Sequence, residues 1–399
     1  MRTEHLLIGI GMAVLLSYWF VHLGRVLRLP SVVFLLGTGL ALRALANGFE
    51  LAITLPASLL PLLGTLGLIL IVLEGALDLE LKSGQRVFLL RTFGAAALGL
   101  SFFVTPISIA LHYALGLGWA GSVLLATPFA VISSAVAIPA ADLLEPRDRE
   151  FVVYESSWSD ILAVMLFNAA GAAFLDGGSA TSNFVGGGLA VVVIGGAIGL
   201  ALYWLVGHLE GHVKFAPLMF ALIGVYGAAK ALHLSPLLIV MILGLLLNNA
   251  PLLHRFRWLR RLHSNHYDAE LDKLKHLTAE ATFLARTFFF LLLGYDADLA
   301  QLADPFAIGL ALALVAASLG LRWLMLRLVH GSPTRPLLWM TPRGLITVLL
   351  FYSLPEGLVP AAFPRGALIL VVLISCLVMA AGLRADGAKA EAVPQPAQP

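Results

Sequence analysis

Apolar residues fill most of the chain in long runs that short polar segments separate. A helix needs about 17–25 such residues to cross a bilayer. Backbone polar groups in lipid must bond within the protein, and these runs are too long and continuous for barrel strands. We therefore expect an all-α polytopic membrane protein. The pattern predicts thirteen spans, at residues 5–23, 30–45, 57–76, 88–112, 119–139, 152–174, 185–207, 215–232, 235–249, 277–294, 305–326, 336–355 and 361–382.

The composition agrees with this class and excludes several others. Hydrophobic residues make up 60% of the 399 residues, charged residues only 12%, and the mean hydropathy is +0.93. A soluble protein carries about 25% charged residues. A net charge of +2 gives no sign of a nucleic-acid partner. The single cysteine, Cys376, excludes an internal disulfide framework and a cysteine-based metal site, and no motif calls for a cofactor.

The loops differ in charge from one side of the membrane to the other. Most of the 25 Lys and Arg residues fall in loops on one side, while the other holds Arg2, Arg43, Lys230 and Arg365. The positive-inside rule then predicts an outer N-terminus and an inner C-terminus. Residues 250–276 alternate in charge and predict a short amphipathic helix on the inner surface. We expect one transmembrane exchanger domain over residues 1–383 and a disordered cytoplasmic tail over 384–399.

Three pairs of segments indicate an internal repeat. Residues 29–37 resemble 234–242, residues 73–79 resemble 293–299, and Thr127-Pro128 resembles Thr341-Pro342. All three offsets lie between 200 and 220 residues and keep the same order. An odd number of spans separates the members of each pair, so the two halves are predicted to be inverted. Inverted repeats are typical of secondary transporters.

Span 6 carries a polar stripe on an otherwise apolar helix. Glu155 and Ser159 are i,i+4 neighbours, and so are Ser156 and Asp160. A carboxylate at bilayer depth costs roughly 3 kcal/mol even on lenient scales, and it usually marks an ion or proton path. Carboxylate and hydroxyl oxygens suit a hard cation, so Asp160 and Ser156 are the predicted cation ligands. The alternative is a hydrogen-bonded cluster that joins helices. Asn168, on the same face, could line the path or bond a neighbouring helix.

Spans 5 and 12 contain prolines at corresponding places. Thr127-Pro128 precedes Ser133 and Ser134 in span 5, and span 12 begins with Thr341-Pro342. Proline removes a helix hydrogen bond and frees a carbonyl. Paired interrupted helices in the two halves of a repeat indicate a transport site. Thr127 and the two serines therefore join the candidates, although ordinary proline kinks are the alternative.

Two arginines stand in or near the spans and need compensation. Arg286 lies within an apolar run, and Arg343 lies near the start of span 12. An unpaired buried guanidinium is energetically very costly, so we expect one of them to pair with Glu155. Asp160 is then left free to bind a proton and a cation in turn. The alternative is that either side chain extends to the interface. Glu74 is a further acid, either interior or interfacial.

The motif Glu155-Ser156-x-x-Ser159-Asp160 resembles the Glu-Ser-x-x-Asn-Asp pattern of sodium/proton antiporters in the monovalent cation/proton antiporter superfamily. Secondary matches are Leu73-Glu74-Gly75, residues 288–294 and Arg343-Gly344. The resemblance covers residues 5–382. It implies that two interrupted helices cross near the membrane centre beside Asp160, that the protein is a homodimer, and that an ion-binding bundle moves like an elevator. It also favours Arg343 over Arg286 as the partner of Glu155.

Two positions depart from that family. Ser159 replaces the usual Asn, and Ser133-Ser134-Ala135 replaces the usual Thr-Asp-Pro of the broken helix. The missing acid puts the identity of the ion in question.

These observations predict an antiporter that exchanges Na⁺, or K⁺ or Li⁺, for H⁺ across a bacterial-type plasma membrane. Asp160 would bind either ion in turn, with serine hydroxyls, freed carbonyls and water completing the shell. A single exchangeable acid suggests electroneutral exchange. A potassium efflux channel or transporter and a sodium-coupled organic-anion symporter are the alternatives. An intramembrane aspartyl protease needs two aspartates on separate helices, and only Asp160 lies deep in a span.

Overall fold

The computed structural model describes residues 3–27, 29–49, 59–79, 86–175, 193–201, 203–204, 215–231, 236–249, 267–330, 335–360, 363–364 and 366–391. These residues contain helices and connections but no strand. The labelled helices are α1 Thr3–Leu27, α2 Ser31–Gly48, α3 Leu59–Asp78, α4 Arg86–Leu115, α5 Trp119–Ala130, α6 Ser134–Ala141, α7 Pro146–Leu175, α8 Phe215–Ala231, α9 Pro236–Asn248, α10 Tyr267–Asp296, α11 Leu299–Leu302, α12 Pro305–His330, α13 Arg335–Trp339, α14 Leu345–Tyr352 and α15 Gly366–Glu391.

The all-α expectation is confirmed, and the helices lie where the apolar runs predict them. Among the described residues, seven helical segments are long and apolar enough to cross a membrane, and three shorter apolar helices accompany them. Much of the seventh predicted span, residues 185–207, lies outside the described residues. The total of thirteen spans and the orientation therefore stay predictions.

The sequence predicted a separate surface helix over residues 250–276, and this prediction is wrong for residues 267–276. Residues 267–276 are the first turns of α10, which continues without a break to Asp296. Leu271, Leu274 and Thr278 are all buried, so the packed face of the span extends into the charged segment. Residues 250–266 lie outside the described part of the chain.

The last helix continues beyond the predicted domain boundary at residue 383. Helix α15 extends to Glu391, and residues 392–399 lie outside the described part. Trp339 at the end of α13 donates its indole N–H to Asp386 of α15, with 2.9 Å between Nε1 and Oδ2. The boundary itself stays a prediction.

Helices α2 and α10 pack backbone against backbone. A Cβ at Gly39 would collide with the carbonyl of Leu291, and a Cβ at Gly294 would collide with the carbonyl of Leu36. Small residues allow membrane helices to approach this closely. The contact fixes α10 against the bundle, and α10 also carries Arg286.

Two of the predicted spans are interrupted in the middle. Residues 131–133 separate α5 from α6, and residues 340–344 separate α13 from α14. In the α5–α6 segment, 72% of the apolar window is buried within the protein, compared with 33% for α4. Irregular backbone at membrane depth is tolerated only where protein or a cavity surrounds it. The interrupted segment therefore lies where the surrounding helices shield it.

Candidate functional site

The break between α5 and α6 follows from its sequence. Pro128 lacks an N–H and so cannot bond the carbonyl four residues earlier, which weakens the end of α5. Val131 and Ser133 are extended, with ψ values of 130° and 114°. The carbonyls at the end of α5 and the N–H groups at the start of α6 therefore need partners from outside their own helices. Both kinds of group face the interior of the bundle.

The two interrupted segments touch each other at their breaks. The backbone N–H of Ser133 donates to the carbonyl of Pro342, with 3.0 Å between nitrogen and oxygen. A Cβ at Gly344 would collide with the hydroxyl oxygen of Ser133 and lie 2.8 Å from its Cβ. Only glycine fits at this contact. The crossing that the family resemblance implied is present in the structure.

A serine on each following long helix holds the corresponding break. Ser159 of α7 accepts the N–H of Ile132 at 3.0 Å, and Ser375 of α15 accepts the N–H of Arg343 at 2.9 Å. The residue after each serine also contacts a break. Asp160 accepts the N–H of Ser134 at 3.3 Å, and the thiol of Cys376 lies 3.6 Å from the carbonyl oxygen of Arg343. The same arrangement therefore occurs twice in the chain.

Asp160 is a buried carboxylate with one oxygen unsatisfied. Its Oδ2 accepts the N–H of Ser134, and the Ser134 hydroxyl also interacts with the carboxylate. Its Oδ1 is buried and has no hydrogen-bond partner among the described residues. The hydroxyl oxygen of Ser133, at the crossing, is likewise buried and without a partner there. The structure thus brings together Asp160, Ser133, Ser134 and Ser159.

Glu155 is paired with Arg322, and neither predicted partner holds it. Arg322 Nη1 lies 2.5 Å from Glu155 Oε1 and Nη2 lies 2.8 Å from Oε2, while Nε donates to the carbonyl of Leu337 at 2.9 Å. The expectation of Arg343 or Arg286 is therefore wrong. Arg322 lies on α12, within the apolar stretch 319–326. A charge in the middle of that stretch was the signal that could have identified it.

Arg343 caps the broken helix instead of neutralising an acid. Its Nη1 donates to the carbonyls of Ala130 at 2.9 Å and Val131 at 2.6 Å, and its guanidinium lies 5.3 Å from the ring centre of Phe103. A cation at the C-terminal end of a helix offsets the negative end of the helix dipole. These two carbonyls are therefore occupied, although span 5 carbonyls were expected to face the ion.

Arg286 binds the other half of the same interrupted segment. Its Nη1 donates to the carbonyl of Ala135 in the first turn of α6 at 2.9 Å. Glu74 of α3 interacts electrostatically with Arg286 and hydrogen-bonds Thr282. Glu74 is half-buried, so it is neither fully interior nor a solvated interfacial acid.

Three further candidates use their donors within their own helices. The hydroxyl of Ser156 donates to Val153 at 3.2 Å, that of Thr127 donates to Val123 at 2.7 Å, and the amide of Asn168 donates to Val164 at 2.9 Å. The oxygen lone pairs of Ser156 stay available. No cluster of three or more His, Cys, Asp or Glu residues that could hold a metal ion exists in the described ranges.

Comparisons with solved structures show the fold. The structure of the sodium proton antiporter MjNhaP1 from Methanocaldococcus jannaschii at pH 8 is similar with a TM-score of 0.70 and 19% identity, and the match covers 96% of this chain and 100% of that chain. An electron-microscopy map of the same antiporter gives a TM-score of 0.69 and 18% identity over 99% of this chain and 100% of that one.

The family follows from a match along the sequence. The model of the transmembrane sodium/hydrogen exchanger family matches residues 11–385, which is nearly the whole chain. The resemblance inferred from the span 6 motif is confirmed at this level. With its apolar helices, the chain is an integral, multi-pass membrane protein that belongs to the sodium/hydrogen exchanger family, whose members are antiporters and not enzymes.

Proposed function

We propose that this protein exchanges Na⁺ for H⁺ by secondary active antiport, and that Asp160 binds the two ions in turn. The supporting observation is the unsatisfied Oδ1 of a carboxylate buried beside the crossing of the interrupted helices. A buried carboxylate without compensation is costly, so it takes either a proton or a cation. Because the proton and the cation bind the same oxygen, one ion must leave before the other binds. This exclusion is the requirement for antiport.

The neighbouring charges leave Asp160 as the exchangeable group. Glu155 is held by two hydrogen bonds to Arg322, and the side chains of this pair are only 2% and 3% exposed. Arg343 and Arg286 donate to backbone carbonyls on the two sides of the α5–α6 break. A protonated or cation-loaded Asp160 carries the same net charge in either state. We therefore propose an electroneutral cycle of one cation for one proton.

The cation shell consists of oxygen ligands. The first two ligands are Asp160 Oδ1 and the unpartnered hydroxyl oxygen of Ser133. Two further hydroxyl oxygens are nearby in sequence, that of Ser134 at the start of α6 and that of Ser156 on α7. Water molecules complete the shell, since the carbonyls of Ala130 and Val131 are already bound by Arg343. Oxygen ligands of this kind suit hard cations such as Na⁺ and Li⁺, and K⁺ is a further substrate to test.

The site in this form gives little support to an organic-anion symporter. Such a protein needs a cationic group that is free to bind the anion. In the described part of the chain, the buried guanidinium groups of Arg322 and Arg343 bind Glu155 or backbone carbonyls, and the half-buried Arg286 donates from Nη1 to Ala135 but keeps an unpartnered Nε. We further propose, from the resemblance, that the protein is a homodimer in a bacterial-type plasma membrane.

The test uses purified protein in proteoliposomes that contain a pH-sensitive dye and start with an acidic interior. External NaCl, KCl and LiCl are added in turn, with choline chloride as the control for osmotic and chloride effects. We expect the interior to become alkaline with Na⁺ and to respond little to choline. Labelled organic-anion uptake that depends on Na⁺, with no proton movement, would identify a symporter instead. A folded protein without any cation-driven pH change would refute the proposal.

A further inference from the structure

The second interrupted segment begins with a helix that is too short to hold its own position. Helix α13 has five residues, Arg335–Trp339. Isolated helices shorter than about 12–15 residues are only marginally stable. The place of α13 in the bundle therefore depends on its contacts with other helices. In the described part of the chain, two hydrogen bonds join it to other helices, one at Trp339 and one at Leu337.

The first of these contacts holds Trp339 against α15. The indole ring lies on Gly382, where an added Cβ would collide with the ring atom Cδ2. The indole N–H donates to Asp386, with 2.9 Å between Nε1 and Oδ2. Gly382 and Asp386 are i,i+4 neighbours and so share one face of α15. That face supplies both the space for the ring and the acceptor for its N–H.

The second contact joins α13 to the buried ion pair. The carbonyl of Leu337 accepts from Arg322 Nε at 2.9 Å, while both Nη atoms of the same guanidinium bind Glu155. Glu155 lies one turn before Ser159 on α7, and Ser159 and Asp160 contact the first break. A displacement of α13 would therefore reach the exchange site through a single guanidinium group.

We propose that Trp339 and Asp386 are positioning residues for cation exchange, because their hydrogen bond sets the place of α13. Through the Leu337 carbonyl, α13 then fixes the orientation of the Arg322–Glu155 pair beside the cation site. The inference rests on the proposed function, since it concerns the affinity of the same site for the same cation. It gives a role to the part of α15 that extends past residue 383.

The first experiment measures the KM for Na⁺ and the maximal rate in the proteoliposome assay. Asp386→Ala removes the acceptor of the indole N–H. Groups bonded directly to a metal ligand typically change affinity or activity about 10–100-fold, and this contact acts at one further remove, so we expect a KM about three- to tenfold higher. The maximal rate per folded protein should stay close to that of the wild type. A merely structural role would instead reduce the amount of folded protein and leave the KM unchanged.

Two matched variants identify the hydrogen bond as the cause. Asp386→Asn removes the charge but keeps an oxygen acceptor, so its KM should be close to that of the wild type. Arg384→Ala removes a charge from the same turn of α15. Arg384 is exposed and lies two residues from Asp386, which places it on a different face of the helix, so its KM should not change.

The second experiment follows α13 directly and requires no transport. Amide hydrogen exchange over residues 336–341 should be faster in Asp386→Ala than in the wild type, and unchanged in Asp386→Asn. Trp339→Phe keeps an aromatic ring and removes the N–H, so it should have the same effect as Asp386→Ala. The two changes combined should raise the KM no further than either alone, because both break the same bond.

The outcomes separate this role from the proposed function. If the wild type exchanges Na⁺ for H⁺ but Asp386→Ala lowers only the maximal rate or changes nothing, the positioning role is wrong and the antiport stands. An equal rise in KM for Arg384→Ala or Asp386→Asn would also overturn the role, since the surface charge would then act and not the hydrogen bond. If the wild type shows no cation-driven proton movement, the proposed function falls, and the positioning role falls with it.

Discussion

Replacing Glu155 by Leu is expected to destabilise the protein strongly, because it leaves Arg322 buried without its partner. The side chains of Arg322 and Glu155 are 3% and 2% exposed, and two hydrogen bonds join them. Removing one member of a buried pair costs about 3–5 kcal/mol, most of it from the remaining uncompensated charge. Arg322 keeps only its Nε bond to Leu337. Replacing the whole pair by apolar residues of similar volume is often neutral.

A double-mutant cycle measures this prediction. Glu155→Leu, Arg322→Met and the double variant are unfolded by heat or denaturant in the same detergent. The double variant should recover most of the loss of either single variant. The matched control combines Glu155→Leu with Arg343→Met, which removes a different buried guanidinium and should recover nothing. Recovery by the Arg343 combination, or an unchanged stability in Glu155→Leu, would refute the pairing.

The remaining predictions concern the exchange site. Asp160→Asn should abolish cation-driven proton movement in the dye assay while the melting temperature stays close to that of the wild type; retained exchange would exclude Asp160 as the carrier. Gly344→Ala should destabilise the protein and reduce exchange, since its Cβ collides with the side chain of Ser133, and Ser133→Gly in the same chain should recover part of the stability. A Gly344→Ala variant as stable as the wild type would contradict the close crossing. The exchange rate should not depend on an imposed membrane potential, because a field acts on net charge at about 2.3 kcal/mol per charge per 100 mV. The potential is imposed with an ion that is not a substrate. An exchange rate that changes several-fold with the sign of the potential would indicate that a second acid takes part in the exchange. Glu74 would be the first acid to test.

The helices and their interruptions were predictable from the sequence because both are local properties. Apolar runs set the spans, and Pro128 and Pro342 mark segments in which the backbone cannot continue its hydrogen bonds. The position of Asp160 beside the break also follows from its place in span 6 once the two helices are adjacent.

The ionic partners were not predictable, because they depend on how distant helices pack. Arg322 and Glu155 are 167 residues apart, and no spacing rule relates them. From the sequence, Arg343 was expected to pair with an acid or to extend to the interface, but at the crossing it binds the carbonyls of Ala130 and Val131. The extension of α10 to Tyr267 was missed because charge alternation in that segment masked two buried leucines, Leu271 and Leu274.

The serine contacts at the two breaks have a consequence for where this scaffold can place a charge. Each half keeps a serine that holds its break, but the following residue differs: Asp160 in one half and Cys376 in the other. One half thus has a carboxylate beside its break, whereas the other half has a thiol beside the backbone carbonyl of Arg343. Of the two residues that follow these serines, Asp160 alone is a carboxylate, and Cys376→Asp would place a second acid at the corresponding position.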